Sequence, residues 1–283
     1  MKADLHLHTT ASDGRLEPRE IVSLAIQVGL DVIAITDHDT IDGVVAALDA
    51  ASASNSLRVI PGVEINTDVA CGEVHILGYF IDFTDKKFTA ILQKLQDSRL
   101  GRAQKMVAKL SDLGMKIDWQ RVTELAQGGT VCRPHVAQAL LEKGYVRSEK
   151  EAFDKYIGHN GPAYVERYKL LPEEAVKLVI DAHGLPVLAH PADIDDLDEL
   201  VPKLKAAGLI GLEIYYGNYG LETIDRLTRI SRQYDLVTTG GTDYHAFGDG
   251  VEVGIGSRLT PASSVEQLFG MASKHSLELL ERH

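Results

Sequence analysis

Residues 31–39 read DVIAITDHD, a nearly continuous apolar run that ends in acidic and imidazole side chains. Such a run is typical of a strand buried on both faces of a parallel sheet. Similar apolar runs lead into His190 and Asp243, and helical patterns separate them. Polar residues at the carboxyl ends of strands in repeated β-α units predict a barrel of parallel strands with an active site on that rim.

The strand candidates number about seven, one fewer than in the standard α/β barrel. We therefore predict an α/β fold with an open or irregular barrel. The alternation of strands and helices fails between residues 99 and 167, where four helical patterns follow one another. We predict a barrel made of residues 1–98 and 168–283, and a helical insertion at 99–167 that covers the mouth and grips substrate. A stabilising cap without ligand contacts is the alternative.

Two pairs of side chains with metal-binding groups lie near the ends of the chain. His6 and His8 are two residues apart in an apolar run, and Asp243 and His245 repeat that spacing. Residues two apart in a strand point to the same face. This pattern predicts one divided metal site. A structural histidine is the alternative for any one of these residues, but their shared placement at strand ends favours ligands.

Composition limits the other classes of function. The 283 residues are 45% hydrophobic, which is enough for one large core. The sequence has no apolar run of membrane-spanning length and no signal-peptide pattern, so we expect a soluble, cytoplasmic protein that binds no membrane. Cys71 and Cys132 are too few for a disulfide framework. A net charge of −12 argues against broad attraction to nucleic-acid backbone, and nothing implies a stable protein partner.

An ordered set of motifs resembles the PHP family, named for polymerase and histidinol phosphatase. The motifs are His6-Leu7-His8, Asp13-Gly14, Thr36-Asp37-His38, Pro61-Gly62-Val63-Glu64, His75, His190-Pro191 and Asp243-Tyr244-His245. The match runs from Met1 to about Phe247. The resemblance implies a distorted (β/α)7 barrel, two or three divalent metal ions, and hydrolysis of phosphate esters.

The resemblance also implies a ligand set for each ion. The first ion would take His6, His8, Glu64 and Asp243, the second Glu64, His75 and His135, and the third Asp13, His38 and His245. Many members have histidine where this chain has Asp13, which makes the third set richer in oxygen. We expect Mn²⁺, with Mg²⁺, Zn²⁺ and Fe²⁺ as alternatives. Closely spaced divalent ions lower the pKa of a water between them and hold phosphoryl oxygens.

Two further residues are candidates for catalysis. His190 follows an apolar run and precedes a proline, so it could bind an ion or protonate the leaving group. Asp37 precedes His38 directly, and in a strand the two side chains point to opposite faces. We predict that Asp37 orients a ligand, for example by accepting an imidazole N–H. A cap at the strand end is the alternative for Asp37.

The predicted substrate contacts lie in the insertion and at its return to the barrel. Arg99 and Arg102 share a helix face, and Arg133 stands two residues before His135. Each could present a guanidinium fork to a phosphate. Tyr164 and Lys169 belong to an aromatic and basic group that could stack a base and pair a phosphate. A solvated helix face or surface segment is the alternative.

Three segments resemble a subgroup of the family that acts on nucleotides: Arg133-Pro134-His135, Ala163-Tyr164-Val165 and Leu188-Ala189-His190-Pro191. The resemblance implies removal of the 3′-phosphate from nucleoside 3′,5′-bisphosphates, and trimming of short RNA from its 5′ end. The expected partner is therefore a small anionic nucleotide. Histidinol-phosphate phosphatase is an alternative activity, and an acidic patch in the insertion would favour it. A metal-stabilised scaffold that binds nucleotides without turnover is the alternative from another class.

Overall fold

The computed structural model describes residues 1–54, 56–69, 72–248 and 252–280. This part of the chain contains one seven-stranded sheet whose strands follow sequence order. The strands are β1 (Ala3–Leu7), β2 (Val32–Ile35), β3 (Arg58–Val69), β4 (Gly72–Tyr79), β5 (Leu185–Leu188), β6 (Gly211–Tyr216) and β7 (Val237–Gly241). The sheet nearly closes, because the His8 N–H donates to the carbonyl of Tyr244 at 3.0 Å, just after β7. The prediction of an irregular α/β barrel is confirmed.

One strand runs against the others. The pairs β1–β2, β2–β3, β5–β6 and β6–β7 are parallel, whereas β4 is antiparallel to both β3 and β5. The prediction of an all-parallel barrel is therefore wrong at β4. Because β4 is reversed, its first residues lie at the rim where the other strands end, and His75 pairs there with Asn66 of β3.

Helices surround the barrel and form the insertion. They are α1 (Pro18–Gln27), α2 (Asp42–Ser52), α3 (Lys86–Asp112), α4 (Trp119–Leu125), α5 (Arg133–Glu142), α6 (Glu149–Ala152), α7 (Pro172–Asp181), α8 (Leu197–Ala207), α9 (Leu221–Gln233) and α10 (Ala262–Leu280). The first helix begins with Pro18, whose missing N–H would be unpaired there anyway. It buries Ile21 and Ala25 in the same apolar cluster as Ile33 and Ile35 of β2.

Helix α3 connects the barrel to the insertion. Its first half contributes Phe88 and Leu92 to the core beside the barrel, and its second half contributes Met106 and Leu110 to a separate core formed with α4 and α5. The predicted boundary between residues 98 and 99 therefore falls within one continuous helix. The division into a barrel and a substrate cap stays a prediction.

Among the described residues, no helix is both long enough and apolar enough to cross a membrane. Cys71 lies outside the described residues.

Candidate active site

The two histidines of the N-terminal segment point into the mouth of the barrel from the same face. Both His6 and His8 are fully buried. The Nε2 atom of each lies 3.2 Å from Oε2 of Glu64, which is on β3. Asp243 follows β7 and brings Oδ1 to 3.2 Å from His6 Nε2 and 2.9 Å from His8 Nε2. These four side chains, which the family resemblance implies for the first ion, each offer one atom within 4.8 Å of the others.

Two more groups of potential ligands share members with the first. One consists of His8, Asp13, His38 and His245, and the other of His38, Glu64 and His75. Because His8, His38 and Glu64 each belong to two groups, the three groups form one continuous cluster. We call these residues the ligand cluster: His6, His8, Asp13, His38, Glu64, His75, Asp243 and His245. That they bind metal ions stays a prediction.

His135 is the one predicted metal ligand outside the three groups found among the described residues. It sits in the first turn of α5, where its Nδ1 accepts a hydrogen bond from the Cys132 N–H at 3.0 Å. It shares the lining of a cavity with Asp13 and is in none of the three groups found among the described residues. The assignment of His135 to an ion with Glu64 and His75 stays a prediction.

His190 stands next to the ligand cluster at the end of β5. Its Nε2 lies 3.0 Å from Glu64 Oε1 and 3.1 Å from His75 Nδ1. The residue has φ of 26°, a backbone conformation that L side chains rarely adopt, at the start of a 3₁₀ turn over Pro191–Asp193. Burial lowers the pKa of His190, but Glu64 and Asp243 raise it above its usual value overall.

Glu213 lies in the site but was not among the residues predicted from the sequence. Glu213 is fully buried on β6, with Oε1 3.0 Å from His6 Nδ1. Its Oε2 accepts the backbone N–H of His190 at 2.8 Å. Carboxylates behind ligand histidines fix the tautomer and ring orientation. The available signal was a lone carboxylate in the apolar run of residues 209–215.

Two buried aspartates hold the loops that carry the ligand cluster. Asp37 accepts hydrogen bonds from the Thr9 N–H at 2.7 Å, the Thr9 hydroxyl at 2.8 Å and the Ser12 hydroxyl at 2.6 Å. Asp4 accepts from the Thr242 N–H at 3.0 Å and its hydroxyl at 2.7 Å. Burial raises the pKa of Asp4 to about 6. The expected imidazole contact of Asp37 is not found among the described residues, so Asp37 supports the loop before Asp13 instead.

The carboxylates and imidazoles of the ligand cluster shift one another's pKa values. Burial alone would raise the pKa of Glu64, but His38, His6 and His75 hold it well below its usual range. The pKa of Asp243 is lowered well below its usual range by His6 and His245 in the same way, against the effect of burial. Burial lowers the pKa of His6, yet the surrounding carboxylates raise it well above its usual value. A metal ion bound beside His6 would replace the proton that these carboxylates favour on its ring.

Several atoms of the ligand cluster lack hydrogen bonds. In this cluster, the buried atoms that have no hydrogen-bond partner among the described residues are His6 Nε2, both ring nitrogens of His8, His38 Nδ1, Asp13 Oδ1, Glu64 Oε2 and Asp243 Oδ1. Buried polar atoms are normally paired, so such a concentration is unusual. Imidazole nitrogens and carboxylate oxygens together suit divalent transition metals. The residues present therefore fit the metal ions that the motifs imply.

Three basic residues surround one carboxylate beside the ligand cluster. Arg133 donates to Glu73, Lys169 Nζ lies 3.3 Å from Glu73 Oε1, and Arg102 Nη2 lies 4.0 Å from that oxygen. We call Arg102, Arg133 and Lys169 the cationic cluster. Burial would raise the pKa of Glu73, but Arg133 foremost holds it far below its usual range. The guanidinium of Arg102 also lies 5.0 Å from the ring centre of Tyr164. The Tyr164 ring thus supports a cation, and its role in base stacking stays a prediction.

Arg99 differs from the other predicted substrate contacts. Its Nε donates to Asp39 at 2.6 Å, and its two terminal nitrogens donate to Cys132 Sγ at 3.3 Å and to Asn66 Oδ1. Asp39 is fully buried and also lies 3.3 Å from Arg167. The Arg99 guanidinium therefore holds α3 against the barrel through these three hydrogen bonds. The pairing of Arg99 and Arg167 with Asp39 was not predicted from the sequence.

The comparisons with known proteins agree with this geometry. A model of the PHP domain family matches residues 4–239. The chain is 34% identical over 257 residues to a 5′-3′ exoribonuclease of Haemophilus influenzae, covering 89% of this chain and 93% of that one. It is 31% identical to a 3′,5′-nucleoside bisphosphate phosphatase of Chromobacterium violaceum, covering 87% and 88%. A solved structure described as a metal-dependent phosphoesterase from Bifidobacterium adolescentis superposes with a TM-score of 0.88, at 30% identity and coverage of 95% and 96%.

A nearly closed barrel with this cluster of histidines and carboxylates at its mouth defines a metal-dependent phosphoesterase. The chain belongs to the PHP family, and the resemblance of its motifs to that family is confirmed.

Proposed function

We propose that this phosphoesterase removes the 3′-phosphate of nucleoside 3′,5′-bisphosphates, leaving nucleoside 5′-monophosphates, and that it trims short RNA bearing a 5′-phosphate. The cationic cluster is the observation that carries the proposal. Arg102, Arg133 and Lys169 converge on Glu73. The Nη2 atom of Arg102 is buried and makes no hydrogen bond with the described residues. A second phosphate on the substrate would accept charged hydrogen bonds from this group.

The cationic cluster lies at a suitable place for that second phosphate. Glu73 and His75 are two residues apart on β4, so their side chains share a face. The Asn66 amide nitrogen, 2.6 Å from His75 Nε2, joins the ligand cluster to Arg99. A 5′-phosphate held by Arg133 and Lys169 would therefore leave the 3′ ester beside the ligand cluster. The names of the relatives from Haemophilus influenzae and Chromobacterium violaceum support both parts of the proposal.

The residues of the ligand cluster would hold two or three divalent ions, and we propose Mn²⁺ as the metal. Such ions supply a nucleophilic water at neutral pH and offset charge on the phosphoryl oxygens. We assign proton transfer to His190, because it touches Glu64 and His75 but is in none of the three ligand groups of the described chain. From this position His190 would protonate the departing 3′ oxygen.

The alternatives fit the insertion and the ligand cluster less well. Histidinol phosphate carries a cationic end, which the cationic cluster would repel. A scaffold without turnover would not require His190 beside three complete ligand groups. We also propose a cytoplasmic location, since the cysteine content gives no sign of an oxidising compartment.

Phosphate release by the Mn²⁺-loaded protein tests the proposed function. We expect adenosine 3′,5′-bisphosphate to have a kcat/KM about ten- to hundredfold above those of p-nitrophenyl phosphate and histidinol phosphate. Charged hydrogen bonds contribute about 1.5–3 kcal/mol each, which corresponds to this range. A chelator should abolish release. Preference for histidinol phosphate would contradict the proposed substrate, and no release from any ester would favour the scaffold.

Arg133→Ala should lower kcat/KM for adenosine 3′,5′-bisphosphate by about ten- to hundredfold, because one charged hydrogen bond to the 5′-phosphate is lost. The same substitution should change turnover of p-nitrophenyl phosphate less than about threefold, since that ester has no second phosphate. Arg147→Ala, at an exposed position of the insertion, is the matched control. Equal losses with both substrates would show that Arg133 does not recognise the 5′-phosphate.

A further inference from the structure

A cavity opens beside Asp243, where β6 and β7 end. Its volume is about 490 Å³, which is within the range of small-molecule sites. Its walls include Tyr216, Asn218, Tyr219, Phe247 and Val253, and Asp243 forms its inner end. Tyr216 joins the cavity to the ligand cluster, because its hydroxyl donates to Asp243 Oδ2 at 2.8 Å. We call this space the distal cavity.

The walls of the distal cavity suit a flat, neutral group. The rings of Tyr216 and Tyr219 lie 5.0 Å apart, and Phe247 stacks on His245 at 4.8 Å with an angle of 17°. No lysine or arginine is among the described lining residues, whereas Glu252 and Asp243 are. A further phosphate would meet like charge there. Nucleic-acid bases stack on aromatic side chains irrespective of sequence.

The topology sets the distal cavity apart from the cationic cluster. Glu73, at the centre of the cationic cluster, is on β4, whereas the cavity is built on residues that end β6 or follow β6 and β7. In the ring of seven strands, β4 and β7 are three steps apart in one direction and four in the other. The end of β6, which carries Tyr216, is two steps from β4. The ligand cluster adjoins both features, because His75 is two residues from Glu73 on β4 and Asp243 accepts the Tyr216 hydroxyl.

We propose that the distal cavity is a subsite for the nucleoside on the 3′ side of the scissile phosphate in a 5′-phosphorylated oligoribonucleotide. The inference rests on the proposed function and names the feature that admits a diester. Water adds to phosphorus, the bond from phosphorus to the 3′ oxygen of the first nucleotide breaks, and that oxygen takes a proton. A nucleoside 5′-monophosphate leaves. The shortened RNA keeps the attacked phosphate as its new 5′-phosphate.

Filling the distal cavity tests the subsite. Asn218 is exposed at its edge, so Asn218→Trp adds a large side chain without disturbing the core. We would measure kcat/KM for 5′-phosphorylated diadenylate and for adenosine 3′,5′-bisphosphate, and compare their ratio between variants. The ratio should fall at least about tenfold in Asn218→Trp, the scale expected for loss of one stacked base. Val253→Trp, on another wall, should shift the ratio in the same direction.

Two control variants make the test specific. Leu221→Trp adds the same bulk at a position that is 81% exposed and outside the lining, and should leave the ratio unchanged. Gln138→Trp fills the separate cavity of about 260 Å³ beside Asp13 and His135. A lower ratio in Gln138→Trp alone would place the nucleoside there and overturn the proposal.

Assays of the wild-type protein distinguish failure of the subsite from failure of the proposed function. Turnover of the bisphosphate without any cleavage of the diadenylate would overturn the subsite and leave the proposed function standing. Turnover of neither substrate would overturn the proposed function itself. Cleavage of both, with an unchanged ratio in Asn218→Trp and Val253→Trp, would also overturn the subsite.

Discussion

Glu64→Gln is expected to lower phosphate release by at least about a thousandfold, because metal ions contribute several kcal/mol to such reactions. The substitution should also reduce the metal bound per chain. Glu64 is the carboxylate with the most imidazole neighbours in the ligand cluster. One oxygen lies 3.2 Å from His6 and His8 and 2.9 Å from His38, and the other lies 2.8 Å from His75 and 3.0 Å from His190. An amide keeps the shape but loses the negative charge that two ligand groups share.

Metal content after dialysis and the rate of phosphate release would be measured on the same preparations. Glu222→Gln, at an exposed position of α9, makes the same chemical change away from the site and should leave both quantities at the wild-type level. Full metal content in Glu64→Gln, with release within tenfold of wild type, would remove Glu64 from the centre of the ligand cluster.

Asp39→Asn is expected to lower the free energy of unfolding by about 3–5 kcal/mol, the range found when one partner of a buried ion pair is removed. Asp39 is fully buried. It lies 2.6 Å from Arg99 Nε and 3.3 Å from an Arg167 terminal nitrogen, and it accepts the Asn66 N–H at 3.0 Å. The Arg99 side chain is 9% exposed and that of Arg167 is 1% exposed, so neither guanidinium can turn to solvent for compensation.

Urea denaturation would measure the change for Asp39→Asn, with Glu142→Gln as the matched control. Glu142 pairs with Arg121 at 2.8 Å, but both side chains are more than a third exposed, so losing that pair should matter far less. Adding Arg99→Met to Asp39→Asn should recover part of the stability, since it removes one uncompensated charge. Equal losses in Asp39→Asn and Glu142→Gln, or no recovery in the double variant, would contradict the role of this network.

Much of the fold could be predicted because its signals are local. Apolar runs such as residues 31–36 indicate strands that are buried on both faces. Their alternation with helical patterns indicates an α/β barrel. The spacing of His6 and His8 also acts locally, because period two places both side chains on one face of β1. Asp243 comes shortly after an apolar run, so the sequence places it near the end of a strand.

Other residues near the site could not be predicted because their partners are distant in sequence. Nothing near Val74 shows that β4 runs backwards, yet that reversal brings His75 to the rim. The sequence around Glu73 is typical of a surface strand. Only the fold brings Arg133 of the insertion and Lys169, which follows it, into contact with Glu73. The role of Asp39 likewise depends on a helix that begins more than 40 residues later.

The sequence by itself determined the barrel class, the membership of the PHP family and the kind of chemistry, because all three depend on residue types at short spacings. Only the tertiary structure decided the assignment of partners. It placed Glu213 3.0 Å from the His6 ring and paired Arg99 with Asp39. These outcomes depend on which elements pack together, and packing is set by shape and burial over the whole chain.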